Sequence, residues 1–511
     1  MLTKVIVSNN SALARKYGPA AKSVDKAIGN WIAHDMTKGI AAQYVALDDV
    51  AAMATLGLAP VVRWNDQADV KRAIDYIYNK TNPDYMVLFG ASDVIPHQEL
   101  RNPVASDPDS SVPSDLPYAG NSAYSTNIGE FVGATRVISR LPDINGDADS
   151  DNAIKLIENS MHATSHPVNF YMEYFGVSAE VWSKSTRSSL INLFGNASTQ
   201  QDVPNAASPW AGADLAKPSH FFNCHGAPAD PKWYGQSKID ENDYPIAHET
   251  RAVLGMLTSG TVATAECCYG AQLYDPSLAA GQLPLCNAYL QSGACAFWGS
   301  SNIAYGPASS NDNADLICQY FFDELLKGAS VGRAALLSRQ RYARKTLTLS
   351  PVDQKTLAQF MVFGDASTTC VASKTVGELS MKSFGLENRA RENEAKQRRA
   401  HLLMDGEELQ RSRSINLQDI PTNVKISGQM IDLAKNFGIL EPKIASVQVV
   451  RREWAMAMAV AGLEKALGAT RISEFHILAD VRQGSERESF KLLEVAASDE
   501  HIIFVRELFS R

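Results

Sequence analysis

Two short segments carry the side chains best suited to making and breaking bonds. One reads His220-Phe221-Phe222-Asn223-Cys224-His225-Gly226-Ala227, the other Thr261-Val262-Ala263-Thr264-Ala265-Glu266-Cys267-Cys268-Tyr269-Gly270. Each is an apolar run of buried-strand type that ends on a reactive residue with a glycine close behind. A cysteine and a histidine together can transfer acyl groups: the thiolate attacks a carbonyl and the imidazole moves protons. A glycine beside them lets backbone N–H groups approach the carbonyl, so Gly226 is a candidate for an oxyanion site. A cysteine at a strand end is by itself most often packing. A soft metal site from Cys224, His225, Cys267 and Cys268 ranks low, because adjacent ligands lack the usual intervening residues.

The elements that must hold these segments read as alternating strands and helices. Lys4–Val7 and Ala42–Leu47 read as strands and Ser23–Met36 as a helix between them. Asp69–Lys80 has a helical apolar period and leads through Asn82-Pro83 into the strand Tyr85–Phe89. Residues 102–127, rich in Pro, Ser, Asp and Asn, read as a long surface loop, and Phe131–Ile138 as a strand. A second series follows: a helix at Asp151–Thr164, a strand at Phe170–Val177, a helix near Arg187–Phe194, then the two reactive segments. Gly293–Trp298 reads as a further strand and Ala314–Leu326 as an amphipathic helix. Helices between short apolar strands predict a parallel sheet, with ligands gathered beyond the strands' carboxyl ends.

Composition narrows the classes. The chain has 511 residues, 45% of them apolar and 20% charged, an ordinary globular balance that predicts several domains. A net charge of -8 argues against a general nucleic-acid partner. No stretch is long and apolar enough to span a bilayer, and the apolar start at Leu2–Val7 is too short for a signal-peptide core; the expectation is a cytoplasmic protein with no membrane partner. Seven cysteines, two of them adjacent, do not resemble a disulfide framework. Residues 387–413 are dense in charge and read as a solvated helix or linker, and 423–511 as a small appended α/β or helical module, with a helix at Trp454–Leu467 and a strand at Ile502–Val505.

The wider pattern resembles the gingipain family of clan CD cysteine peptidases. The similarity runs through Tyr85–Pro96, Ser114-Asp115-Leu116-Pro117-Tyr118, Val137–Pro142, Cys224-His225-Gly226, Phe297-Trp298-Gly299-Ser300 and Val362–Ser367, in order, over residues 70–370. The resemblance implies a caspase-like α/β fold: a mostly parallel sheet flanked by helices, with a smaller N-terminal α/β subdomain and a C-terminal extension. The implied divisions are 1–145, a catalytic subdomain at 146–374, a charged helical linker at 375–422 and an appended, regulatory module at 423–511. It also implies an endopeptidase with His225 and Cys267 as catalytic dyad. Gingipains place glycine three residues after the nucleophile, which selects Cys267 through Gly270; the caspase spacing of two selects Cys268, the alternative nucleophile. Gly226 and Cys267 would supply the oxyanion N–H groups.

The pocket is where this chain departs from the family. The stretch that carries the family's acidic specificity residue is shorter here and offers Glu180. Trp298, and Tyr305 at the family's aromatic wall, are the other pocket candidates. The implied partner is a polypeptide substrate; residues 375–511, being extra to the family pattern, are the candidate for docking a regulatory protein, and Lys396–Arg399 reads first as a solvated helix face and second as an autoprocessing site. No metal or cofactor is expected, with a structural calcium left open. The rival classes are a catalytically inactive caspase-like scaffold and a metal-binding regulator.

Overall fold

The computed structural model describes residues 1–105, 107–345 and 349–372, together with four strands between 443 and 510, whose side chains are described at 491–495 and 505–510. The expected charged linker, the Lys396–Arg399 site and the Trp454–Leu467 helix lie outside the described residues.

The strands in chain order are β1 (Leu2–Ser8), β2 (Ile40–Ala46), β3 (Tyr85–Phe89), β4 (Gln98–Arg101), β5 (Ser111–Ser114), β6 (Ile138–Leu141), β7 (Tyr174–Ala179), β8 (Gln200–Val203), β9 (Ser219–Asn223), β10 (Lys232–Tyr234), β11 (Ile246–Glu249), β12 (Val262–Ala265), β13 (Ala296–Ser300), β14 (Tyr305–Gly306) and β15 (Phe360–Phe363). Ten of them form one sheet in the order β2-β1-β3-β6-β15-β13-β12-β9-β7-β8. The protein is thus α/β, with a mostly parallel sheet flanked by helices. All neighbours in the sheet are parallel except β15 and β13, which are antiparallel. The sheet is therefore two parallel halves of opposite direction, fused along that pair. Its central strands are buried on both faces, as helix-covered parallel strands must be.

Local chemistry explains the flanking helices. Asp66 caps the helix Gln67–Thr81, accepting from the Asp69 N–H, and Asn82 ends it in a left-handed conformation before Pro83. Ser350 and Asp353 form a capping box at Pro351–Gln359, with proline at the first helical position. The first half of the sheet, β2-β1-β3-β6-β15, is fixed by buried ion pairs. Lys4 of β1 lies between Asp35 and Asp365, 2.5 and 2.7 Å away, over the Trp31 ring. Arg140 of β6 makes a bidentate pair with Asp115 at 2.8 and 2.6 Å and donates to the Gly90 and Ile95 carbonyls.

The segment 102–127 is a surface loop only in part, at its two ends, where residues 107–111 and 121–127 are exposed or half-buried. It contains β5 and a short 3-10 turn at Leu116–Ala119, and residues 114–120 are buried. Its polar composition misleads because the partner of Asp115 is Arg140, remote in sequence. The stretch from Phe131 enters the core as coil after a 3-10 turn, and only Ile138–Leu141 joins the ladder. Likewise Phe170–Met172 is a 3-10 turn, and β7 begins at Tyr174.

A separate antiparallel sheet contains β16 (Lys443–Val449), β17 (Glu474–Gln483), β18 (Glu488–Ala497) and β19 (Ile502–Ser510), and β19 pairs with β14.

Candidate active site

β9 and β12 are parallel neighbours, and both reactive segments leave the sheet at their carboxyl ends. Ala265 pairs with Phe222, and the Glu266 N–H donates to the Phe222 carbonyl at 2.9 Å. Carried onward, that register sets Cys267 level with Cys224 and Cys268 level with His225. Beyond β12 the chain closes a tight turn, the Gly270 N–H donating to the Cys267 carbonyl at 3.1 Å. Tyr269 takes a left-handed conformation with φ of 55°, the strained position of that turn. The spacing from Cys267 to Gly270 is thus that of a turn's first and last residues.

His225 is held on three sides. Its backbone exchanges both hydrogen bonds with Tyr234 at 2.8 and 2.9 Å. The ring lies against Trp182, with centroids 4.3 Å apart, and edge-on to Tyr244 at 5.1 Å. Nε2 is 3.0 Å from Gln236 Oε1. The Gln236 amide donates to the Glu241 carbonyl and the Tyr244 hydroxyl, which fixes its oxygen toward the ring. With the amide so oriented, the Gln236 oxygen accepts a hydrogen bond from a proton carried on Nε2.

The two cysteines look in different directions. Cys267 is fully buried and hydrogen-bonds Cys224, and burial, reinforced by Cys224, pushes its thiol well above the ordinary range. Beneath it lies an aromatic and histidine cluster: the Tyr289 hydroxyl meets His220 Nδ1 at 2.8 Å and His248 Nε2 at 3.0 Å. Burial pushes His220 down to about 4 and His248 to about 3, so both are neutral core residues. Cys268 sits in an apolar cluster with Val104, Ile303, Tyr305, Val352, Leu492 and Leu508. Its sulfur accepts the Ala304 N–H at 3.3 Å and its S–H reaches the Ala304 carbonyl at 3.6 Å.

Gly226 touches the same turn. A Cβ there would stand 1.9 Å from the Cys268 carbonyl oxygen, so only glycine lets the two strand ends close. Glu180 is on the turn after β7, where its carboxylate accepts from the Lys238 N–H at 3.0 Å and the Asn205 amide at 3.3 Å. It thereby holds the loop that carries Gln236. Trp298 is fully buried in β13, stacked on Phe321 at 4.8 Å with Arg339 over its ring. Tyr305 is fully buried on β14, beneath the Lys355 ammonium and within the Cys268 cluster.

Sequence reasoning missed Trp182, Gln236, Tyr244 and Ala304. No spacing rule relates them to His225 or Cys268, since loops from three strand ends bring them together. Among the described residues no cluster of His, Cys, Asp and Glu is arranged to hold a metal ion. No helix among them is long and apolar enough to cross a membrane.

Residues 222–371 match the model of peptidase family C25. The matched segment runs from the end of β9 past β15 and includes His225, Gly226, both cysteines, Trp298 and Tyr305. The match supports a gingipain-like cysteine peptidase of clan CD, and therefore a polypeptide substrate. No curated protein matches the chain.

Proposed function

We propose that the protein is an endopeptidase that cleaves amide bonds through His225 and Cys267. The observation that carries this reading is the pair of adjacent parallel strand ends, one delivering His225-Gly226 and the other the Cys267–Gly270 turn, within the segment that matches a cysteine peptidase family. The Cys267 sulfur, as thiolate, adds to the scissile carbonyl, and the tetrahedral oxyanion is received by the N–H groups of Gly226 and Cys267. Protonated His225 gives its proton to the leaving amine, and the carbon–nitrogen bond breaks to leave a thioester. His225 then takes a proton from water, whose oxygen attacks the thioester; the carbon–sulfur bond breaks, returning the Cys267 thiolate beside protonated His225 and releasing the acid product. In the structure the Cys267 thiol is buried and held protonated, so activity requires the 266–270 turn to open. Tyr305 and Glu180 flank the turn and the histidine loop respectively and are the pocket candidates beside it; Trp298 buttresses β13 from within.

A second reading makes Cys268 the nucleophile. Its favouring observations are its register with His225 and the Ala304 N–H on its sulfur, a contact that stabilises a thiolate. An electrophilic peptide probe followed by mass spectrometry decides between them. Attachment to Cys267, lost in Cys267→Ala and kept in Cys268→Ala, is the expected result; attachment to Cys268 transfers the role. No attachment to either, on protein released as described below, refutes the peptidase reading in favour of a scaffold.

A further inference from the structure

Strand β19 lies antiparallel along β14, Tyr305 opposite Ser510 and Gly306 opposite Phe509. β14 is no ordinary edge. It follows directly on the segment that grips the cysteine turn: the Tyr269 N–H donates to the Asn302 carbonyl at 3.0 Å, the Ala271 N–H to the Ser300 carbonyl at 2.7 Å, and Cys268 is bonded to Ala304. A strand seated on β14 therefore closes over the turn from outside. One face of β18 and β19 supplies the contact: Leu492 and Leu508, opposite each other in the ladder, are fully buried in the Cys268 and Tyr305 cluster.

The next pair along that face is charged. Arg506, opposite Glu494, reaches across the caps of two helices of the catalytic part. Its guanidinium is 2.6 Å from Asp312, the cap of Asn313–Leu326, and 3.0 Å from the Ser350 hydroxyl, the cap of Pro351–Gln359. Glu494 lies 2.5 Å from the same guanidinium and Asp353 3.6 Å. A cation at helix N-termini opposes the helix dipoles, and the carboxylates offset this. The charges also divide cleanly. Arg506 and Glu494 neutralise each other and leave together, whereas Asp312 and Asp353 keep Lys345, 2.8 Å from Asp353, and have one negative charge in excess. Separation thus leaves Arg506 paired with Glu494 on the leaving sheet and opens a site for a cation on the part that stays.

We propose that the edge of β14 is a strand-pairing site for an extended polypeptide with a basic residue two positions before an apolar one, and that β19, through Arg506 and Leu508, occupies it as an internal competitor that keeps the cysteine turn shut. The site reads main-chain groups through the β14 ladder and alternate side chains through the Asp312–Asp353 and Tyr305–Cys268 surfaces. The proposal rests on the peptidase reading for its purpose, and its test does not depend on hydrolysis.

The full chain carrying Arg506→Glu is treated with iodoacetamide, and each cysteine's modification rate is read by mass spectrometry. Cys268 is expected to react at least tenfold faster than in the wild type, with the core residues Cys286 and Cys318 still protected. The nine-residue β19 peptide restores slow labelling when added in excess, and its arginine-to-glutamate counterpart does not. If Cys286 and Cys318 also react, the variant has unfolded, and Asp312→Asn replaces it, with a smaller rise in the same direction. Unchanged Cys268 labelling in a folded variant whose Tyr305–Gly306 amides exchange freely, or failure of the peptide to protect, overturns the proposal. Faster labelling with no peptide hydrolysis keeps the cover and removes the peptidase; equal hydrolysis by wild type and variant does the reverse.

Discussion

The two halves of the sheet end in opposite kinds of chemistry. At the end of the first half, Arg140 is buried with every direction answered: two bonds to Asp115, others to backbone carbonyls, and Asp115 further bound to His97 at 3.0 Å. Burial raises the Asp115 carboxyl, but Arg140 and His97 outweigh it and hold it below the usual carboxylate range. At the end of the second half, the two cysteines stand on a strained turn beside His225 at the neighbouring strand end, and Gly226 is there for closeness. The first arrangement spends its polar groups on fixing the β4–β5 segment; the second keeps a base and a thiol at a strand end. Polar residues in a shared family-like pattern therefore divide into those that build the frame and those the frame presents.

The largest expected difference is in turnover. Cys267→Ala or His225→Ala should lower peptide hydrolysis about 10⁴-fold or more while shifting the denaturant midpoint little. The same measurements on Asp115→Ala should show the reverse emphasis: a loss of about 3–5 kcal/mol in unfolding free energy, because Arg140 is left buried and unpaired. Activity there falls only as the folded fraction falls. The two histidines beneath Cys267 give the second half its own acid sensitivity. Their folded pKa values lie below the unfolded value, so their contribution is present above about pH 6.5 and is lost as pH falls toward 4 and 3. Each costs up to about 1.4 kcal/mol per pH unit across that window; urea melts of wild type and His248→Phe, compared between pH 7 and 5, should converge as pH falls.

A smaller effect is expected at the contact between the strand ends. Gly226→Ala would drive the turn away from its place, lowering hydrolysis about 100-fold and stability by roughly 1–3 kcal/mol; unchanged kinetics would mean that the close approach is dispensable. The smallest effect should come from Gln236→Ala, which removes one bond from the imidazole. A loss of about 3–10-fold with a displaced acidic limb of the pH profile marks a positioning role, and a stability change without that displacement would reduce it to packing.

Part of this was legible in order along the chain. The apolar runs at Tyr85–Phe89, His220–Cys224 and Thr261–Ala265 mark strands because continuous apolar segments bounded by turn residues are what a doubly covered sheet requires. The reactive residues could be picked out because each directly follows such a run. The segment 102–127 misled because Asp115 looks like surface until its guanidinium partner is seen. Trp298 shows the same limit from the other side: an aromatic at a motif position gives no sign of which face of its strand it occupies.

The sequence by itself determined the alternation of strands and helices, the two reactive segments and the glycine spacings, because all of these are local patterns of side-chain type. Only the tertiary structure decided which strands are neighbours, that the halves of the sheet run in opposite directions, that Cys267 faces Cys224 while Cys268 stands level with His225, and that the last strand of the chain lies on β14. Those are matters of register and long-range pairing. A shift of one residue along a ladder leaves the composition untouched and turns every side chain to the other face.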